Sequence, residues 1–322
     1  MSVQPPHAED PTVGVPLPAA PDITIDEGMA AQYLAITGDQ LRLALSAPLS
    51  IAVTGGATRV ANPGLVIELS IGQSAVATRR VIANLRYRNL TLSRPVHIGE
   101  TLRTVVTPLE ASWTRSGTER AKVLLEVSLT TATGGEISRY QRLALLPVRE
   151  PLRLVACEPA EPRGPVDLLD FAGSVPASWR HPATGTIIEP GESWDDPLAD
   201  TVSSARELVR LTQNLAAAHR DTRAGIGGRR LVYGGHTVSL AQASLSRTLP
   251  DLLTVLAWRS CDHLGPVFED DLLSFSLRID DVRNWDDFRL ADATVTATSH
   301  RQDSTPTAVL DWHPVLLLVG TP

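Results

Sequence analysis

Leu211 to Ser239 reads LTQNLAAAHRDTRAGIGGRRLVYGGHTVS, and its character changes twice within 29 residues. A polar cluster (Asn214, His219, Asp221) comes first, then a Gly/Arg-rich turn, then Tyr233, the paired Gly234 and Gly235, and His236 at the mouth of an apolar helical pattern. Such an order brings a group that titrates near neutral pH close to backbone N–H groups that the start of a helix leaves unpaired. The chemistry of the chain is expected here.

Working outward, the pattern around this stretch has a counterpart in the first half. ITIDEGMAAQYLAITGD predicts a short amphipathic helix with Asp26 as N-cap, ended by Gly38. A second helix is expected from Pro63 to Ala77, its small residues Gly72, Ser74 and Ala75 allowing close approach of other backbone. Strand patterns follow at RVIANLRYRNL, TLRTVVTPLEASWTR, ERAKVLLEVSLTTAT and ISRYQRLALLPV. The second half repeats that order: a helix over SSARELVRLTQNLAAAH with Ser203 as N-cap, a helix from His236 to Thr248, and strands at LLTVLAWRS, LLSFSLRIDDV, DATVTATSH and VLDWHPVLLLV. SRPVHIGETLRT (Ser93 to Thr104) echoes LGPVFEDDLLSF (Leu264 to Phe275), so Pro95 and Pro266 take equivalent places. Residues 1–21, rich in Pro and Ala, are expected to be a loose tail. The two copies span 22–150 and 200–322, joined by a proline-rich connector at 151–199.

Composition narrows the function. The 322 residues carry a net charge of −7, which provides no basic stripe for a nucleic acid. No apolar run reaches the roughly 18 residues of a membrane span, and no basic-then-apolar leader opens the chain. The two cysteines, Cys157 and Cys261, lie in no CxxC, which fits a reducing cytoplasm. His236, Cys261 and His263 have no zinc-type spacing, GIGGRR follows a helix rather than the strand a dinucleotide fingerprint needs, and no GxSxG elbow is present. These patterns point to neither a zinc site nor a dinucleotide site.

These residues resemble the MaoC-like, hydratase-2 type hotdog family, whose signature runs Ser/Thr-Gly-Asp-x-Asn-Pro-x-His-x-Asp and is followed by a His-Gly element at the start of the central helix. Thr37-Gly38-Asp39 keeps the beginning of the signature in the first half, with Ala44 at its histidine position. In the second half Asn214 stands at the acidic position, Ala216 at the asparagine, and His219-x-Asp221 matches; Tyr233-Gly234-Gly235-His236 takes the place of His-Gly. With SIGQS (Ser70 to Ser74) and LxYRxL (Leu85 to Leu90), the likeness points to the mesaconyl-CoA (2-methylfumaryl-CoA) hydratase branch. The resemblance implies an α+β double hotdog, each half a central helix wrapped by a curved antiparallel sheet. It also implies reversible hydration of an enoyl-CoA thioester without metal or organic cofactor, with a branched or dicarboxylic acyl group and a homo-oligomer of such chains both within range.

Hydration needs a base for water, an acid for Cα and donors for the enolate oxygen. His219 is the candidate acid/base, against the alternative of a satisfied histidine at a helix end. Asn214 can orient water but cannot take a proton, which leaves His219 to make both transfers or Asp221 to assist; Asp221 reads equally as a turn residue. Gly234 and Gly235 suit an oxyanion hole, or else allow close packing. His236, Asp221 and Tyr233 are candidate substrate contacts, and Arg229, Arg230 and Arg259 are possible CoA-phosphate partners with none singled out. Asp39 reads as a decoy in a degenerate copy that forms a wall of the acyl-CoA tunnel. A hotdog thioesterase and a non-catalytic acyl-CoA binding subunit are the alternatives.

Overall fold

Every residue from Pro63 to Gln73 is buried, and so is the run from Gly235 to Ser246. A helix buried on all sides has no solvent face and must be wrapped by other elements. In the computed structural model, which describes residues 6–114, 117–151, 167–181, 185–301 and 304–320, that wrapping is one antiparallel sheet. The first half runs β1 (Ile23–Thr24), α1 (Glu27–Thr37), α2 (Arg42–Leu45), α3 (Ala47–Thr54), α4 (Pro63–Gln73), β2 (Ala83–Thr91), β3 (Thr101–Thr114), β4 (Gly117–Thr131) and β5 (Glu136–Pro147). After β6 (Ser193–Asp195) and β7 (Asp200–Thr201) come α5 (Ala205–Leu211), α6 (Gly234–Thr248), β8 (Leu252–His263), β9 (Leu272–Trp285), β10 (Phe288–His300) and β11 (Thr307–Val319).

The strand order β3-β4-β5-β2 is continued by β8-β11-β10-β9, its mirror in sequence terms, with β2 and β8 paired at the seam. This is a double hotdog of the α+β class. Alternate residues of β10 are buried, as expected of strands with one face on a helix. The proline echo extends to geometry: Gly99 and Asp270 both have left-handed φ, while Glu100 accepts from His97 N–H and Asp271 from Phe268 N–H. Short side-chain-to-backbone bonds therefore build the same turn twice from different residues.

Some elements depart from expectation. Asp26 caps α1 by accepting from Met29 N–H, and Gly38 closes it at φ +66°. The helix expected from Ser203 to His219 is only α5, with Ser204 before its first residue and Gln213 at φ +56° past its end. Asn214 then turns the chain by accepting from Ala216 N–H at 2.9 Å, and a separate 3-10 turn covers Ala217–His219. Local side-chain bonding has outcompeted helix propagation. Helix α6 starts at Gly234, two residues before the expected His236, and α4 ends at Gln73 with a 3-10 turn over Ser74–Val76.

Residues 6–21, read as a loose tail, lie along the first half. Ala8 N–H donates to Pro147 O, Gly14 N–H to Pro108 O and Leu17 N–H to Val106 O, while Glu9 Oε1 accepts from the N–H groups of Arg149 and Glu150. Backbone pairing anchors a segment whose composition offers little to bury. The connector prolines Pro159, Pro162, Pro165 and Pro182, with Cys157, lie outside the described residues. No helix among the described residues is long and apolar enough to cross a membrane, and no cluster of three or more His, Cys, Asp or Glu there could hold a metal.

Candidate active site

A cavity of about 290 Å³ opens at the N-terminal end of α6. Its walls come from both halves: Val81 to Leu85, Tyr87 and Arg142 from the first, and His219, Leu231 to Gly234, Thr237 and His263 to Val267 from the second. The first copy does form a wall of the pocket.

His219 is brought to the cavity by the turn that Asn214 starts. Its Nδ1 lies 3.0 Å from Leu231 O. A carbonyl only accepts, so Nδ1 carries the proton and Nε2 keeps its lone pair. Burial pushes the imidazole down to about 4, opposed by the bond to Leu231 O. At neutral pH His219 is an uncharged base. Tyr233 packs beside it, the ring centroids 5.7 Å apart, and donates its hydroxyl to Glu68 O.

Gly234 lines the same cavity, and of the first N–H groups of α6 that of His236 bonds back to Tyr233 O at 2.8 Å, which leaves those of Gly234 and Gly235 without a helical partner. The contrast with the other half is direct. There Asn62 precedes α4 and its Oδ1 accepts from Gly64 N–H at 2.8 Å, whereas Tyr233, before α6, makes no side-chain cap. One helix N-terminus is closed by its own sequence and the other is left open. The glycines also answer a packing demand. A Cβ on Gly234 would come within 2.7 Å of the His263 ring, and one on Gly235 would overlap the Glu68 carboxyl group. Close packing and an open N-terminus are both served, so the two readings of the glycine pair do not compete.

The remaining candidates lie off the cavity. Asn214 is buried, with its Oδ1 engaged by Ala216 N–H and its main-chain oxygen by Arg220. Asp221 is bound by Arg223 and accepts from Arg223 N–H, as a turn residue does. Gly235 faces Glu68, and His236 is fully buried, with neither ring nitrogen bonded. Arg230 pairs with Glu269, and Arg259 with Asp292. Asp39 accepts from Leu41 N–H, Asn62 Nδ2 and, across the two halves, Gln242 Nε2 of α6.

Sequence reasoning passed over Arg142 and Asn84 and weighed His263 only as a zinc ligand, yet all three lie in the cavity wall. Burial pushes His263 down to about 4 as well, and its ring packs edge-on to Tyr87. Tyr87 lies within LxYRxL, and Ser74, the last residue of SIGQS, holds Arg142. Those two motifs were therefore signals of cavity wall.

The matching place in the first half is shut. Val60, Ala61, Pro63, Val66, Leu92 and Arg94 to Val96, with Thr254 to Leu256 of the second half, surround a void of only about 20 Å³, closed by Trp179 and Ser174 of the connector. Leu168, Phe171, Val175 and Trp179 share one apolar cluster with Leu43, Val53 and Val60 of the first half and Leu253, Phe288 and Leu317 of the second.

Fold and site together define a double-hotdog protein with a cavity faced by a histidine and by a helix N-terminus that no side chain caps. Among solved structures, a conserved hypothetical double-hotdog protein of Mycobacterium tuberculosis is 36% identical, over 97% of this chain and 98% of that one, with a TM-score of 0.79. A MaoC domain dehydratase structure from Chloroflexus aurantiacus is 24% identical over 100% of both chains, with a TM-score of 0.88. In sequence the chain is 25% identical to the β-methylmalyl-CoA dehydratase of Chloroflexus aurantiacus over 82% of its own length and 79% of that protein's. It is 27% identical to the mesaconyl-CoA hydratase of Cereibacter sphaeroides over 59% and 58%. No family model matches. The chain belongs to the double-hotdog proteins, and its curated relatives are a CoA dehydratase and a CoA hydratase.

Proposed function

We propose that this protein is a hydro-lyase that adds water reversibly across the double bond of an enoyl-CoA thioester. The observation that carries the reading is that neutral His219 and the uncapped N-terminus of α6 face one cavity. The relatives named β-methylmalyl-CoA dehydratase and mesaconyl-CoA hydratase support the same reaction class.

The thioester carbonyl lies at the α6 N-terminus, where free N–H groups and the helix dipole stabilise the enolate oxygen as charge develops. His219 Nε2 takes a proton from water as its oxygen bonds to Cβ, and the electron pair of the double bond moves toward the carbonyl. The imidazolium then gives that proton to Cα. The enolate collapses to the thioester and His219 returns to its starting form. One imidazole makes both transfers, because Asn214 and Asp221 lie off the cavity. A cytoplasmic place of action rests on the sparse cysteines alone.

No Asp or Glu lines the cavity among the described residues, which leaves a thioesterase without the positioned carboxylate it would use. The test is hydration of a panel of enoyl-CoA esters with and without His219→Ala. Loss of general acid–base catalysis should lower kcat by about 10²–10⁴-fold. Equal turnover by both proteins, or release of free CoA in place of hydration, would overturn the reading.

A further inference from the structure

The carboxyl group of Glu68 stands against the open end of α6. The side chain is buried on α4, neither of its oxygens is bonded among the described residues, and an added Cβ on Gly235 would overlap the whole carboxyl group. Only glycine at position 235 leaves room for it. The N–H groups of Gly234 and Gly235 have no helical partner. The two glycines that open α6 therefore border different things: Gly234 the His219 cavity, and Gly235 a buried acid.

The titratable groups around this carboxyl are neutral. All four tyrosines of the chain interact with its charge, Tyr33 of α1, Tyr87 of β2, Tyr140 of β5 and Tyr233 at the entry to α6, as does Cys261 of β8. Burial raises each of these five groups, so none is ionised near neutral pH. Three of the phenols are bonded elsewhere, Tyr33 to Ser239 Oγ, Tyr140 to Ser70 Oγ and Tyr233 to the main-chain oxygen of Glu68. Burial pushes His236, next to Gly235, down to about 4, and does the same to His263, whose ring packs on Gly234. Arg142, Asp39 and Asp262 act on members of this ring without reaching Glu68. A buried charge with neither cation nor donor is costly, so the acid keeps its proton and gives it up only near pH 8.

We infer that Glu68 is a positioning residue of the hydration site: its neutral carboxyl group leaves the positive end of α6 free for the enolate oxygen, and its ionisation occupies that end. The inference rests on the hydration reading above. A helix N-terminus carries the equivalent of about half a positive charge, enough to serve one anion. With Glu68 ionised, the enolate would develop as a second anion at the same helix end, which raises the barrier. The coupling is reciprocal. A developing enolate strengthens the hold of Glu68 on its proton, and loss of that proton slows hydration. Activity is therefore lost as pH rises, on the opposite side from the limb set by His219.

The test compares Glu68→Gln with wild type in the hydration of crotonyl-CoA, per folded protein as read by circular dichroism at each pH. The ratio of variant to wild-type kcat/KM should rise about tenfold from pH 7 to pH 9, because a group titrating near 8 is protonated in about a tenth of the molecules at the upper value. Acetoacetyl-CoA gives a second readout, since it gains no water and its enolate is followed by ultraviolet absorbance. The ratio of wild-type to variant Kd for that enolate should also rise about tenfold over the same interval. Glu68→Leu, uncharged and apolar, takes the place of Glu68→Gln should the latter fail to fold. If neither folds, the wild-type profile decides: a fall of about tenfold from pH 7 to pH 9 in folded protein supports the proposal, and a flat profile overturns it. Ratios that stay constant with pH would also overturn it, because a merely structural acid changes both proteins alike at every pH. Failure of the hydration reading looks different: no enoyl-CoA gains water at any pH, while the enolate affinities continue to report on Glu68.

Discussion

Asp39 and Asn214 hold the same turn in the two halves. Each accepts from the N–H two residues ahead, Leu41 at 3.0 Å and Ala216 at 2.9 Å. Each follows a helix whose closing threonine bonds back four residues, Thr37 to Tyr33 O and Thr212 to Leu208 O. Gly38 and Gln213, between threonine and acceptor, both have left-handed φ. The retained role of this position is to start the segment that ends at Ala44 in one copy and at His219 in the other.

Asn214→Asp should therefore not improve catalysis. The carboxylate would keep the bond to Ala216 N–H but become a buried charge without the two amide donors that Asp39 has in Asn62 and Gln242. We expect a loss of about 1–3 kcal/mol in stability by urea unfolding, with kcat/KM for hydration unchanged or lower. A gain in kcat/KM would show that position 214 reaches the substrate.

The pH profile follows from His219. As a base it must be neutral, and its folded-state value is pushed down from 6.5 to about 4 by burial. Activity should hold steady from neutral pH down to about 5 and fall only as the imidazole protonates near 4. Stopped assays of kcat/KM across pH 4–8 check this. An acidic limb centred near 6.5 would mean that the ring is solvated in the working enzyme.

Glu68 gives a stability prediction of opposite sign to that of the histidines. Burial raises its carboxyl from 4.5 to about 8 against a smaller lowering by the Tyr233 hydroxyl, which donates to Glu68 O and leaves both carboxyl oxygens without a well-formed bond among the described residues. Between those values the unfolded chain ionises Glu68 and the folded chain keeps it neutral, so stability falls as pH rises. His219, His236 and His263 are lowered from 6.5 to about 4, so each favours the folded state above 6.5 and loses that contribution as pH falls toward 4. Thermal melts of wild type should decline between pH 6 and 8.5 more steeply than those of Glu68→Gln. Parallel curves would show that Glu68 finds a donor.

Trp179→Ala should reopen the closed copy. The indole is buried beside the small void that Val60 also lines, in a cluster that joins the connector to both halves. Truncation should cost about 3–5 kcal/mol and leave an apolar void that takes up xenon. Because the void is separate from the His219 cavity, hydration by the folded fraction should be unaffected. A matching loss of specific activity would connect the two sites.

Much of this was legible along the chain. Asp26 and Gly38 mark the ends of α1 through local bonds and local φ, which a sequence carries openly. The duplication showed in Pro95 and Pro266 because a turn is a short-range object. His219 and the glycines stood out because their spacing in one stretch sufficed. The early end of α5 was missed because its apolar period continues past Leu211, and the bond from Ala216 to Asn214 that breaks it competes only weakly in any propensity sum. Arg142 and Asn84 were missed for another reason. They lie 58 residues apart on neighbouring strands and become a pair only when β2 meets β5.

The amino-acid sequence by itself determined the two central helices, the doubled order of helices and strands, and which copy kept the histidine, because periodicity, caps and turns act over a few residues. Only the tertiary structure decided what faces the cavity. Closing the sheet at β2 and β8 carried Tyr87 and Arg142 of the first half to His219 of the second, left Asn214 and Asp221 outside, and let Trp179 of the connector fill the other site. Burial and neighbours set the charge on each of these groups, and both are products of contacts between residues far apart in the chain.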